Sequence, residues 1–181
     1  MRVITSLLIC LLATVAIAHS ATVPRRSPEL AMKTGGGEQL LLSSYRGKVV
    51  AILFILTDCP HCHTTVQVLS KLHQEYFARG FEVLCSAIND DAQQSLAGFR
   101  FRFHPPFPVG MNSRDTAAEY LQIPVGTQML MPMLAFVDRA GNIREQHSGD
   151  DKIFEAASQE QNLRRIIESL VKPGASAMMK P

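Results

Sequence analysis

The sequence predicts an α/β fold with a central mixed β-sheet flanked by helices, and three observations carry that prediction. Short apolar runs rich in β-branched residues alternate with segments whose apolar positions recur at helical spacing. Two late strand-like runs, MLAFVD and NIREQH, flank the turn signal Arg139-Ala140-Gly141, which marks an antiparallel hairpin. Between the first long apolar run and the first helical pattern stands a compact cluster of reactive residues, Asp58-Cys59-Pro60-His61-Cys62-His63.

Taken in order, the chain opens with a targeting signal. Met1-Arg2 supplies a positive charge, residues 3–18 are apolar, and Ala16-Ile17-Ala18 has small residues at signal-peptidase spacing. Residues 1–18 are therefore expected to be a secretory signal peptide, since the apolar run falls short of the roughly 20 residues of a membrane span. If uncleaved, the segment would tether the protein to the membrane; either way the expected location is periplasmic or otherwise extracytoplasmic. Residues 19–37 are rich in Pro, Ser and Gly without periodicity, and a flexible linker is expected there. The folded domain is expected over 38–172, and a mobile tail over 173–181.

Within that domain KVVAILFIL, from Lys48, reads as a strand buried on both faces. Val66, Leu69, Leu72, Tyr76 and Phe77 then predict a helix that opens at Pro60 and stops at Gly80, proline being favoured in a first helical turn. FEVLCSAI is the next buried strand. Asn89 or Asp90 is expected to cap a helix over 91–102, with Gln93 completing a capping box, and FPVGM is a third strand. Strand and helix in alternation imply a mostly parallel sheet here. A short helix over 114–121 precedes the hairpin, and a closing amphipathic helix is expected from Asp150-Asp151 to Val171. FRFRFH at 99–104 reads as a helix end with half its phenylalanines buried, and Arg164-Arg165 as a solvated helix face.

Composition limits the function classes. The 181 residues are 46% apolar, ample for a single core, and the formal charge of +2 lacks the clustered excess of a nucleic-acid binder. Of four cysteines, Cys10 lies in the signal, leaving Cys59, Cys62 and Cys85, an odd number and too few for a disulfide scaffold. Cys85, inside FEVLCSAI, is expected to be a buried hydrophobe.

Cys59-x-x-Cys62 is a dithiol/disulfide pair; followed by His63 it also matches a c-type haem attachment pattern. Thiolate rather than thiol attacks a disulfide, and a sulfur at a helix N-terminus faces unpaired N–H groups and the positive end of the macrodipole. Cys59 is the sulfur so placed and is expected to be the nucleophile. Cys62, one helical turn on, is expected to be the resolving thiol. His61, between them, is expected to tune the pair together with Pro60, while Asp58 disfavours negative charge nearby.

With GKVV, a CxxC after a strand, and Met131-Pro132 opening P-x-x-x-F-V-D-x-x-G, the chain resembles an extracytoplasmic thioredoxin-fold protein of the TlpA/ResA type over residues 38–172. The resemblance implies a thioredoxin-like sheet with a helix–strand insertion between the CxxC helix and the hairpin. It also implies a cis-proline at Pro132, beside which Met131 pairs with an extended substrate peptide. Thiol–disulfide exchange with protein substrates is the implied activity, with an unidentified redox partner, membrane-embedded or soluble, and no cofactor beyond the cysteines. Two features depart from the type: Asp58 stands where an aromatic residue is usual, and Pro60-His61 is the dipeptide of the oxidising DsbA group.

Three rival readings follow from the same residues. A c-type cytochrome would use Cys59, Cys62 and His63 with Met111, Met129 or Met131 as axial ligand, but needs a mostly helical wrap. A copper carrier similar to SCO proteins would recruit the thiolates with His61, His104 or His147, although that group has CxxxC spacing. A peroxiredoxin would need Pro-x-x-x-Thr-x-x-Cys; here Thr57 lies two residues before Cys59 and Ile52 stands at the proline position. The methionines at 129, 131 and 133 are expected to form either an adaptable contact surface or core.

Overall fold

The computed structural model describes residues 21–172, so the expected signal peptide and tail lie outside the described residues. The KVVAILFIL run forms a strand at Val49–Ile55, all seven residues of it buried. A strand covered on both faces cannot alternate polar with apolar, hence the continuous run. It pairs parallel with Phe81–Ala87, which pairs parallel with Val109–Met111. On its other side it pairs antiparallel with Met133–Val137, and that strand forms the expected hairpin with Asn142–His147. Gly141 closes the turn at φ +81°, a left-handed conformation that glycine adopts without a Cβ penalty.

Four helices cover this sheet: α1 (Pro60–Tyr76), α2 (Ala92–Phe103), α3 (Arg114–Leu121) and α4 (Gln159–Val171). Val49, Ala51, Leu53 and Ile55 share one core with Val66 and Leu69 of α1, Phe99 of α2 and Leu163 of α4. Val50, Ile52 and Phe54 share another with Ala117, Tyr120 and Leu121 of α3. Strand periodicity thus distributes one continuous apolar run between two cores.

The N-terminal segment corrects the sequence reading. The expected linker enters the sheet as β1 (Arg25–Arg26) and β2 (Ala31–Lys33), and β3 (Gln39–Leu41) returns beside β2. With the later strands numbered β4 to β8 in chain order, the sheet runs β1-β8-β7-β4-β5-β6-β2-β3. Leu30 and Met32 are 2% and 0% exposed, so this segment is core and the folded domain begins before residue 38. Gly110 of β6 lets it dock, because a Cβ there would stand 2.8 Å from the Lys33 carbonyl. Parallel pairing runs through β4, β5 and β6, where strand and helix alternate, and every other pair is antiparallel, so the sheet is mixed as expected.

Two helix starts also differ. Asp91, not Asn89 or Asp90, occupies the N-cap of α2, and its side chain makes no capping bond. The closing helix is divided: Asp151 caps a short 3₁₀ turn at Lys152–Phe154, and α4 begins only at Gln159. In FRFRFH, Phe99 is buried, Phe103 half-buried and Phe101 exposed, as its helical spacing predicts.

Candidate active site

The cysteine cluster folds as the first turn of α1. Cys59 is the N-cap, with extended backbone (φ −85°, ψ 118°), and its Sγ accepts the Cys62 N–H at 3.4 Å. Pro60 takes the first helical position, where a missing N–H leaves nothing unsatisfied. Cys59 is partly exposed, while Cys62 is fully buried behind it. Burial pushes the Cys62 thiol well above the ordinary cysteine range, and its hydrogen bond with Cys59 adds to the rise. Cys85 is fully buried in β5, and burial raises its thiol likewise. All three are free thiols, and only Cys59 meets solvent.

The loop before Cys59 is tied to α2 by groups that sequence reading missed. Asn89 Oδ1 accepts the Thr57 N–H at 3.2 Å, and Asn89 Nδ2 donates to Thr57 Oγ1 at 3.0 Å. Thr57 Oγ1 donates in turn to Ser95 Oγ at 2.9 Å. From the helix side, His63 Nε2 lies 2.8 Å from the Thr57 carbonyl, which can only accept, so this nitrogen carries the proton. The His63 ring rests against Phe103, with centroids 4.5 Å apart. Asn89 reads as a helix cap and Thr57 only as an off-register peroxiredoxin position; nothing local signals that they meet across 32 residues of chain.

Asp58, Pro60 and His61 are exposed around the thiols. The Met131–Pro132 peptide is cis, with Pro132 buried and Met131 half-buried. It leads into β7, whose Met133 pairs with Phe54 near the end of β4, so the loop and Cys59 lie at the same end of two neighbouring central strands. Gly149 braces this loop: its N–H donates to the Leu130 carbonyl at 2.8 Å, and a Cβ there would collide with the Met131 carbonyl. Met133 belongs to the core, whereas Met129 and Met131 are only partly covered.

The histidines named for copper sit on separate elements. His104 is the exposed C-cap of α2, and His147 on β8 is held by Asp151 at 2.8 Å and Glu145 at 3.1 Å. His63, the residue a c-type haem would need, is engaged through Nε2. Among the described residues, no group of three His, Cys, Asp or Glu side chains is arranged to hold a metal.

A CxxC at the start of the helix that follows the central strand, with a cis-proline at the start of the neighbouring antiparallel strand, defines a thioredoxin-fold protein of the TlpA/ResA type. The Redoxin family profile matches residues 20–163, and the chain belongs to that family. It is similar to the thiol-disulfide oxidoreductase ResA of Geobacillus kaustophilus, 24% identical over 155 residues that span 85% of this chain and 80% of the relative. It is also similar to a probable phospholipid hydroperoxide glutathione peroxidase of Mesembryanthemum crystallinum, 26% identical over 114 residues covering 57% of this chain and 67% of that one. The crystal structure of a putative thiol:disulfide interchange protein DsbE from Chlorobium tepidum superposes with a TM-score of 0.69 at 20% identity, over 82% of this chain and 96% of the other. The protein is an oxidoreductase of the thiol–disulfide class.

Proposed function

We propose that this protein exchanges the Cys59–Cys62 dithiol and disulfide with protein substrates outside the cytoplasm, through a mixed disulfide. One observation supports this most: the sulfur of the partly exposed Cys59 accepts a backbone N–H at a helix start, with a second thiol buried one turn behind it. In the reducing direction the Cys59 thiolate attacks a substrate disulfide, forming one S–S bond and releasing one substrate thiolate, which takes up a proton. Cys62 loses its proton and attacks Cys59 Sγ, which releases the second substrate thiol and leaves the Cys59–Cys62 disulfide. Two electrons pass to the substrate. Run backwards, the same steps oxidise a substrate dithiol.

His61 and Pro60 tune the pair, and Met131 with Pro132 forms the docking loop for an extended peptide. No cofactor is required beyond the cysteines. A redox partner, membrane-embedded or soluble, resets the pair. The predicted signal peptide supports an extracytoplasmic location, and no helix among the described residues is long and apolar enough to cross a membrane.

The test is reduction of insulin disulfides, together with the reduction potential of the pair in glutathione buffers. Turnover lost in Cys59→Ser and a mixed disulfide trapped in Cys62→Ser are expected; turnover surviving in Cys59→Ser contradicts the proposal. Similarity to a probable peroxidase favours peroxide reduction by Cys59 as a second reading. Peroxide consumption without any disulfide exchange would establish it in place of the first.

A further inference from the structure

Several helical hydroxyls of α1 bond back to the carbonyl four residues earlier, Thr64 to Pro60 at 3.3 Å and Ser70 to Val66 at 2.7 Å among them. Such bonds are ordinary for Ser and Thr in helices. Thr65 differs from both. It is fully buried, and its Oγ1 receives the side-chain amide of Gln159, the first residue of α4, at 2.6 Å. Gln159 is itself 2% exposed. Thr65 Oγ1 lies 3.0 Å from the His61 carbonyl, which can only accept, so the hydroxyl proton points there and Gln159 is the donor.

The His61 carbonyl belongs to the same peptide group as the Cys62 N–H, and that N–H is the one that donates to Cys59 Sγ. An amide that accepts at oxygen becomes a stronger donor at nitrogen, and successive hydrogen bonds polarise one another in a dry interior. We propose that Gln159 and Thr65 are positioning residues for the redox centre: a hydrogen-bond relay from Gln159 through Thr65 and the 61–62 peptide strengthens the N–H that holds the Cys59 thiolate. α4, 94 residues away in sequence, thereby sets the reactivity of a sulfur it does not touch. The relay rests on the assignment of Cys59 as nucleophile.

The experiment measures Cys59 alkylation by iodoacetamide at pH 7 in the reduced protein, read by peptide mass spectrometry, and the equilibrium of the Cys59–Cys62 pair with glutathione. Thr65→Val keeps the shape and removes the hydroxyl. With cooperative strengthening of about 10–30% per bond, it should slow alkylation roughly two- to threefold and shift the glutathione equilibrium toward the disulfide by the same factor. That factor corresponds to about 10 mV more reducing. Thr65→Ser restores the hydroxyl and should restore both values, which a packing role alone does not predict. Gln159→Leu should move both the same way by less.

Wild-type rates in folded Thr65→Val overturn the relay. If Thr65→Val does not fold, Gln159→Leu decides in its place, and an unchanged rate and equilibrium there overturn it equally. Failure of the underlying assignment looks different, because the wild-type Cys59 would then already react as slowly as an unperturbed thiol.

Discussion

The two ends of α1 are built on opposite terms. At its C-terminal end every charge finds a partner: the buried His73 Nε2 lies 2.5 Å from Glu82 Oε1, and Lys48 Nζ donates to Glu82 Oε2 at 3.2 Å. Nearby, Tyr76 donates to Glu168 at 2.7 Å, and Arg164 bridges Glu75 and Glu160. At the N-terminal end the partly exposed Cys59 has only the Cys62 N–H and the Cys62 thiol on its sulfur, and no charged partner among the described residues. Burial alone would raise the Glu82 carboxyl, but the hydrogen bonds from His73 and Lys48 outweigh it and hold the group below the usual carboxylate range. The lesson is a division of labour along one helix. A cluster of paired groups stabilises, even with His73 Nδ1 buried and unpartnered, whereas a sulfur with few partners stays available for bond making.

The comparison breaks most sharply if stability and chemistry fail to separate. Cys59→Ser should remove at least about a thousandfold of disulfide-exchange activity, since among the described residues no other thiol meets solvent, yet change stability by under about 1 kcal/mol. Insulin turnover and urea unfolding measure the two. Glu82→Leu should do the reverse. Removing Glu82 leaves the buried His73 without its partner, while the partly exposed Lys48 turns to solvent, costing about 2–4 kcal/mol, and Cys59 alkylation keeps its wild-type rate.

A smaller effect is expected where the active end meets its brace. Gly149→Ala should destabilise by about 1–3 kcal/mol through the clash with the cis-proline loop. It should also slow exchange with peptide substrates more than alkylation by a small reagent, because the loop and not the sulfur is displaced. Equal slowing of both would separate Gly149 from docking.

The smallest expected effects are pH dependences of opposite sign. Glu82, lowered in the fold, contributes stability above its unfolded value near 4.5 and loses it as pH falls below that. For His147, burial would lower the imidazole, but Glu145 and Asp151 outweigh burial and raise it. It therefore contributes fully below an unfolded value near 6.5 and loses that contribution as pH rises through the folded one. Denaturation curves should show His147→Gln flattening the alkaline side and Glu82→Gln the acid side; the opposite assignment would contradict both partner sets.

What the sequence disclosed and what it hid follow from range. The central strand, α1 with its Cys59-Pro60 start, the hairpin and α3 rest on local pattern, and each stands where its residues predict. β1 and β2 are two and three residues long, too short for periodicity, and Leu30 and Met32 are buried by strands far along the chain. A Pro- and Gly-rich composition therefore passed for a linker. The Asp150-Asp151 cap signal was genuine but served a 3₁₀ turn, with α4 starting separately beyond it. In the site, Cys59, Cys62 and Pro132 were legible from motif. The contacts of Asn89 with Thr57 and of Gln159 with Thr65 were not, because each joins residues far apart in the chain.

The most direct measurement is the alkylation rate of each thiol in the reduced wild-type protein at pH 7. Cys59 should react about five- to tenfold faster than an unperturbed cysteine, which holds only a few per cent thiolate at that pH, while Cys62 and Cys85 stay protected. A Cys59 rate no faster than a free cysteine's, or equal labelling of Cys62, would contradict the account.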